Sequence, residues 1–305
     1  MLSRVADAVF WMARYMERTD NLLRMLRTNY IASQDEILDF QWKNYVKHTV
    51  SGIRVDDVDS YREALFVLLL SKENDSSIFT NIVRARENAR SVQDYITKEL
   101  WQNLNDYYHL IRSPETERTI REDDPVTAMD LLLRESTLFY GTVDITMYRG
   151  EGYAFLNLGK YIERTLQILD ILQLRIQDMG TSPNEAVHWK YLLYSLSGYE
   201  FHTKEYKNSL ATSDVMDQLF FNTRFPHSVM YALLQTDRYF DRLDALSLPE
   251  NFKEIKFLIG KSISDLKYRM HPVTEVKYIQ ELIDVTRTQV VMCSGKLATR
   301  YFGYS

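Results

Sequence analysis

Two glutamates in this sequence have the neighbours needed for acid–base chemistry or anion binding. They sit in Arg14-Tyr15-Met16-Glu17-Arg18 and Lys160-Tyr161-Ile162-Glu163-Arg164, one basic, aromatic, apolar, Glu, Arg order written twice. A carboxylate flanked by cations can take a proton or an ammonium, and the cations can hold a carboxylate or phosphate. Glu17 and Glu163 are thus candidate general bases, and Arg14, Arg18, Lys160 and Arg164 are candidate ligand- or partner-binding groups. On a helix, Arg14, Glu17, Arg18 and Asn21 stand at i, i+3, i+4 and i+7 and share one face, roughly opposite a Val9/Met12/Met16 stripe. Three readings of that face are open. It is a solvated surface with a local Arg14–Glu17 pair, a buried arginine–glutamate network joining two halves of the fold, or a cleft lined for an anion.

A second charged cluster is Arg84-Ala85-Arg86-Glu87-Asn88-Ala89-Arg90. Helical spacing places Arg86 and Glu87 beside Arg90, and Arg84 near Glu87. Arg86, Glu87 and Arg90 are either an anion or partner site or an exposed, ion-paired helix face. The remaining catalytic vocabulary is short. The sequence has no His-Glu-x-x-His, no nucleophile elbow and no glycine-rich phosphate loop. A di-iron bundle needs paired Glu-x-x-His motifs, and only Glu185-Ala186-Val187-His188 fits, with its Glu already read as a helix-capping residue. Neither a metal nor a cofactor is expected. Cys293 has no recognisable histidine partner.

Long helices must position these groups. Ten glycines and six prolines in 305 residues leave few turns. Residues 2–31 bring Val5, Val9, Met12, Met16, Leu23 and Leu26 onto one stripe, and residues 150–178 do so with Leu158, Ile162, Leu169 and Leu172. Ser182-Pro183-Asn184-Glu185 and Asp124-Pro125 read as capped helix starts. Further helices are expected at 36–50, 59–72, 77–111, 126–147, 212–222, 227–245, 250–270 and 273–300.

The repeated string is not isolated. Glu163 follows Glu17 at an offset of 146 (163 − 17), Trp189-Lys190 to Ser197-Gly198 echoes Trp42-Lys43 to Ser51-Gly52, and Ser228-Val229 follows Ser77-Ile78 at 151 (228 − 77). Matches in the same order at a nearly constant offset predict an all-α, internally duplicated helical bundle. Its two similar halves, approximately 1–147 and 148–305, are expected to pack about a pseudo-two-fold axis as one domain over 1–305.

Composition narrows the function. A hydrophobic content of 45% with 26% charged residues suits a globular chain with a sizeable core. A net charge of −5 gives no global attraction to nucleic acid or an anionic membrane. The apolar run Ala64–Leu70 is too short to span a bilayer. One cysteine fits a reducing cytoplasm. The 21 tyrosines read as fillers of wide helix–helix spaces whose hydroxyls reach polar partners.

Longer motifs carry a family resemblance. Met1-Leu2-Ser3-Arg4-Val5-Ala6 with Trp11-Met12-Ala13-Arg14-Tyr15-Met16-Glu17-Arg18 resembles the start of the bacterial alpha-E domain family. Ala85-Arg86-Glu87-Asn88-Ala89-Arg90-Ser91-Val92, continuing to Glu99-Leu100-Trp101 and Leu104-Asn105, resembles its most distinctive segment, and Arg149-Gly150-Glu151-Gly152-Tyr153 through Arg164 its second Glu-Arg helix. Ala13 and Lys160 stand where the family more often has Gly and Arg. The resemblance implies a helical protein tied by gene association to circularly permuted ATP-grasp ligases and transglutaminase-like proteins. The expectation is an auxiliary, non-catalytic component of an amide- or peptide-ligase pathway that binds a partner or an anionic substrate. One alternative is an enzyme of amide formation or hydrolysis using Glu17 or Glu163 as base, and another is a purely structural role for the charged string.

Overall fold

We describe residues 1–34, 60–176, 185–244, 252–268 and 275–303 of a computed structural model of the chain. The expected helix 36–50, the Trp42-Lys43 to Ser51-Gly52 match and the Ser182-Pro183-Asn184 helix start lie outside them. The described residues form thirteen α-helices and no strand. In chain order these are α1 (Ser3–Gln34), α2 (Tyr61–Leu69), α3 (Ile78–Ser91), α4 (Lys98–Ile111), α5 (Pro114–Arg121), α6 (Pro125–Thr146) and α7 (Glu151–Ile176). They continue with α8 (Glu185–Ser195), α9 (Tyr199–Glu205), α10 (Thr212–Met216), α11 (Val229–Asp244), α12 (Phe252–Lys267) and α13 (Val276–Leu297). No helix among the described residues is long and apolar enough to cross a membrane.

The chain divides into two compact units, Trp11–Tyr148 and Met1–Phe10 with Arg149–Ser305. In the first unit, α4 packs on α3 and α6. Residues 11–34 of α1 run antiparallel to α6, since Glu17 meets Tyr140, Asp20 meets Ser136 and Arg27 meets Asp130. In the second unit, α7 packs on α11 and α13, and α12 lies against both of these. There α7 also runs antiparallel to α13, through Asp170–Arg287 and the Gln173–Gln280 amide pair.

Side-chain caps explain the helix starts between residues 60 and 125. Ser60, Ser77, Thr97 and Ser113 each accept the amide N–H three residues on, and Asp124 accepts that of Val126. Two differ from the sequence expectation. The single helix expected over 77–111 is two: α3 ends at Ser91, a 3-10 turn covers Gln93–Tyr95, and Thr97 restarts the chain as α4. No glycine or proline marks that break; Val92 turns inward to a buried position and the Thr97 hydroxyl supplies the new cap. The short helix α5 was not expected, although Ser113-Pro114 carries the signal read at Asp124-Pro125.

Two loops share one hydrogen-bonding scheme. Ser77 Oγ donates to the Ser71 carbonyl and accepts the Thr80 amide, and Ser228 Oγ donates to the Asn222 carbonyl and accepts the Tyr231 amide. Both serines are fully buried. Each hydroxyl closes its loop and caps the following helix, so the preceding carbonyl is not left unpaired in the core.

The expected apolar stripes are buried, including Val9, Met12, Met16 and Leu23 of α1 and Leu158, Ile162, Leu169 and Leu172 of α7. Each such side chain contributes about 1.5–3 kcal/mol relative to exposure. Backbones approach most closely at Gly159, where an added Cβ would overlap the Phe10 carbonyl oxygen. Gly141 on α6 has nothing within 4 Å of the same position. Replacing glycine by alanine inside a helix gains about 1 kcal/mol of propensity, whereas overpacking against backbone costs about 1–3 kcal/mol. Urea unfolding should therefore find Gly159→Ala destabilised and Gly141→Ala slightly stabilised; equal shifts for the two would contradict the close approach at Phe10.

Candidate functional site

Helices α1 and α7 are buried around much of their circumference, so their polar residues cannot rely on water and must find partners. Glu17 is 0% exposed, Arg14 7%, Asp20 3% and Asn21 4%. This overturns the solvated-face reading for the α1 string. Glu17 Oε2 accepts the Tyr140 hydroxyl at 2.5 Å, and Oε1 accepts the Asn21 amide at 3.3 Å. One turn on, Asp20 accepts the Ser136 hydroxyl at 2.9 Å and both Nε and Nη2 of Arg24, at 2.8 and 3.3 Å. Burial works to lower the Arg24 pKa. The charge and hydrogen bond of Asp20, with smaller contributions from Glu17 and Tyr140, outweigh it and hold the guanidinium above its usual range. Tyr107 of α4 is fully buried in the same unit; burial, with the charges of Asp20 and Glu135, pushes its phenol well up.

Arginines complete the string by stacking. Arg14 lies 4.5 Å from the centre of the Trp11 ring, and Arg18 lies 5.8 Å from Trp11 and 5.6 Å from Tyr15. Such contacts contribute about 0.5–1 kcal/mol when exposed and more when desolvated.

The second string repeats several of these contacts. Glu163 is 4% exposed, and its Oε1 accepts the Gln167 amide at 3.4 Å, four residues on, as Glu17 accepts that of Asn21. Arg164 is buried, lies 5.4 Å from the Tyr161 ring centre as Arg18 does from Tyr15, and donates to the Pro226 carbonyl at 3.1 Å. Lys160 is half-buried, with Nζ 5.3 Å from the Tyr161 ring centre. That ring stacks on Tyr239 of α11 at 6.0 Å. The structure thus places Arg14, Glu17 and Arg18 in the first unit and Lys160, Glu163 and Arg164 in the second.

Arg86, Glu87 and Arg90 form a different kind of surface. Glu87 and Arg90 are exposed and paired at 3.6 Å, and Arg86 bonds Glu87 at 2.9 Å. The Arg86 Nε also donates to Asn105 Oδ1 at 2.7 Å, and its guanidinium lies 4.5 Å from the Tyr108 ring centre and 5.3 Å from that of Trp101. Arg84 binds Asp75 instead of its expected neighbour Glu87.

Sequence reasoning missed Tyr140, Ser136 and Tyr108, which come from other helices and have no short-range signal. Asp20 and Arg24, at i and i+4, had one. Glu185, read as a capping residue, accepts the Thr212 hydroxyl at 2.7 Å. Cys293 is fully buried and burial pushes its thiol far up, so it is not poised as a nucleophile.

The model of the Alpha-E family, described as a predicted alpha-helical domain with a conserved ER motif, matches residues 1–302. The chain belongs to the Alpha-E family. The chain has three Glu-Arg pairs, of which Glu17-Arg18 and Glu163-Arg164 are held in helix packing and Glu117-Arg118 is exposed. Uncharacterised proteins of Mycobacterium bovis and Mycobacterium tuberculosis are 21% identical over 252 residues. The match covers 75% of this Alpha-E chain and 28% of the length of those curated relatives. No solved structure matches.

Leaving a buried acceptor without its donor costs about 1–3 kcal/mol. Tyr140→Phe should lower unfolding free energy by that amount in the native background and by less beside Glu17→Gln, whose amide is uncharged. A double-mutant cycle in urea measures this; equal losses in both backgrounds would mean the phenol does not serve the carboxylate.

Proposed function

We propose that this Alpha-E protein is an auxiliary, non-catalytic component of an ATP-grasp amide- or peptide-ligase pathway, acting in the cytoplasm by binding a partner protein or its anionic substrate. The observation that carries the non-catalytic part is the burial of both glutamates. A general base must come within hydrogen-bond reach of the proton it removes. Glu17 is fully buried and engaged with Tyr140 and Asn21, and Glu163 is almost as deeply enclosed. The strings then serve the fold, and recognition falls to charged groups that solvent reaches, with Glu87 and Arg90 foremost among the residues singled out by sequence.

The segment that the mycobacterial relatives share with this chain is 28% of their length, so a region like this one works beside much additional polypeptide. A transglutaminase-like protein is the second partner the reading includes. The chain itself we read as a duplication of a segment of approximately 150 residues, with halves near 1–147 and 148–305. The matching serine-closed loops, the Glu-to-amide bonds at i+4 and the arginine–tyrosine contacts support that history.

Affinity purification of the tagged protein from its native cells, followed by mass spectrometry, tests the reading. An ATP-grasp ligase should co-purify with the native sequence and be lost with Glu87→Ala/Arg90→Ala, whose exposed positions leave stability within about 0.5 kcal/mol. Full ligase activity in cells lacking this protein, together with no ligase captured, would overturn it.

A further inference from the structure

A cleft of about 320 Å³, lined by no residue of either repeated string, opens in the first unit between the end of α2, the loop after it and the α4–α5 junction. Its size is at the low end of the roughly 300–1,000 Å³ of small-molecule sites. The floor is apolar, with Phe66, Leu70, Phe79 and Ile111. The rim carries two cations, Lys72 and Arg112, and the carboxylates of Glu73 and Glu117. Glu117 is already bonded to Arg121 at 2.9 Å, and that guanidinium lies 3.4 Å from the Phe66 ring centre.

These groups are set in place before any ligand arrives. Ser71 Oγ donates to Glu73 Oε2 at 2.9 Å and accepts the Asn74 amide, while Ser77 Oγ ties the Ser71 carbonyl at 2.6 Å. Backbone hydrogen bonding and the Ser71 hydroxyl hold the Glu73 carboxyl below its usual range, so it is an anion at neutral pH. Lys72 Nζ stands 5.7 Å from the Phe79 ring centre. Arg112 rests on Tyr108, 4.9 Å from the ring centre, and donates to its hydroxyl at 2.5 Å. Lys72 therefore borders the Phe79 ring, and Arg112 is steadied beside the cleft by Tyr108.

With Glu117 taken by Arg121, a lone anion would meet Glu73 as well as the cations, and a lone cation would meet Lys72 and Arg112. Only a ligand carrying both charges close together satisfies the rim. Successive residues of a peptide separate its two ends by about 3.3–3.6 Å each, which soon exceeds so small a cleft. We propose that the cleft binds a free α-amino acid with an apolar side chain, its carboxylate toward Lys72 and Arg112, its ammonium toward Glu73 and its side chain against Leu70, Phe79 and Ile111. This inference does not depend on the ligase-pathway reading.

The test is ligand-observed NMR titration of the full chain with L-phenylalanine and L-leucine. Two mimics run beside them: 3-phenylpropionate, which lacks the ammonium, and phenethylamine, which lacks the carboxylate. L-Phenylalanine should saturate and bind at least about tenfold more tightly than either mimic, a difference of about 1.4 kcal/mol. Lys72→Gln should erase its advantage over phenethylamine, and Glu73→Gln its advantage over 3-phenylpropionate. Both positions are exposed, and thermal melts check that the variants fold. Equal binding of the mimics and the amino acids would reduce the cleft to an apolar slot and overturn the proposal, as would no saturation with either amino acid by about 10 mM.

Discussion

A carboxylate removed from water must be given donors or it will not stay ionised inside a fold. That requirement governs this protein. Glu17 lies on a helix with almost no solvent around it at that point, and its two oxygens fix two neighbours: Asn21 one turn along and Tyr140 across the bundle. Asp20, meeting Ser136 and Arg24, adds a second fixed point on the same side of α1. Apolar side chains slide past one another at little cost, whereas a row of hydrogen-bonded acids permits one register between α1 and α6. In α1 the Glu-Arg string thus pins the register of two helices.

Tyrosine is the complementary half of that design. Its ring fills the wide spaces between long helices and its hydroxyl reaches acids that shorter donors could not. Tyr140 does this for Glu17; at the end of the short helix α9, the Tyr206 hydroxyl likewise reaches Asp217 at 2.9 Å. In the second unit Tyr153, Tyr161, Tyr231 and Tyr239 form a connected aromatic seam between α7 and α11. The guanidinium groups of Arg18 and Arg164 lie near tyrosine rings, whose faces attract a cation held close to a core.

Much of this was legible in the sequence because it is local. Helix class, most helix positions and the apolar stripes follow from periodicity and from the scarcity of glycine and proline. What escaped was set by distant residues. The helical wheel put Glu17 opposite the Val9/Met12/Met16 stripe, which ordinarily means water, and only packing on both sides of α1 reveals that face as interior. The break after Ser91 depends on Val92 finding a buried position, which no nearby residue announces. The helix at Pro114 was legible and overlooked: Ser113-Pro114 is as good a start as Asp124-Pro125. The cleft beside Lys72 could not be foreseen, because its walls come from four segments between Phe66 and Glu117.

Helix α1 belongs to both compact units, its first residues to one and Trp11 onward to the other. During synthesis, residues 1–10 emerge before Arg149–Ser305, the segment with which they form a unit, has been made. The unit Trp11–Tyr148 is contiguous and can condense as soon as its own sequence is free, but the other cannot close until residues of Arg149–Ser305 have been made. Closing so long a loop carries an entropic cost and slows folding. The early turns of α1 are thus held in reserve while the intervening unit is made, which makes the order of assembly a property written into the connectivity and not into any single contact.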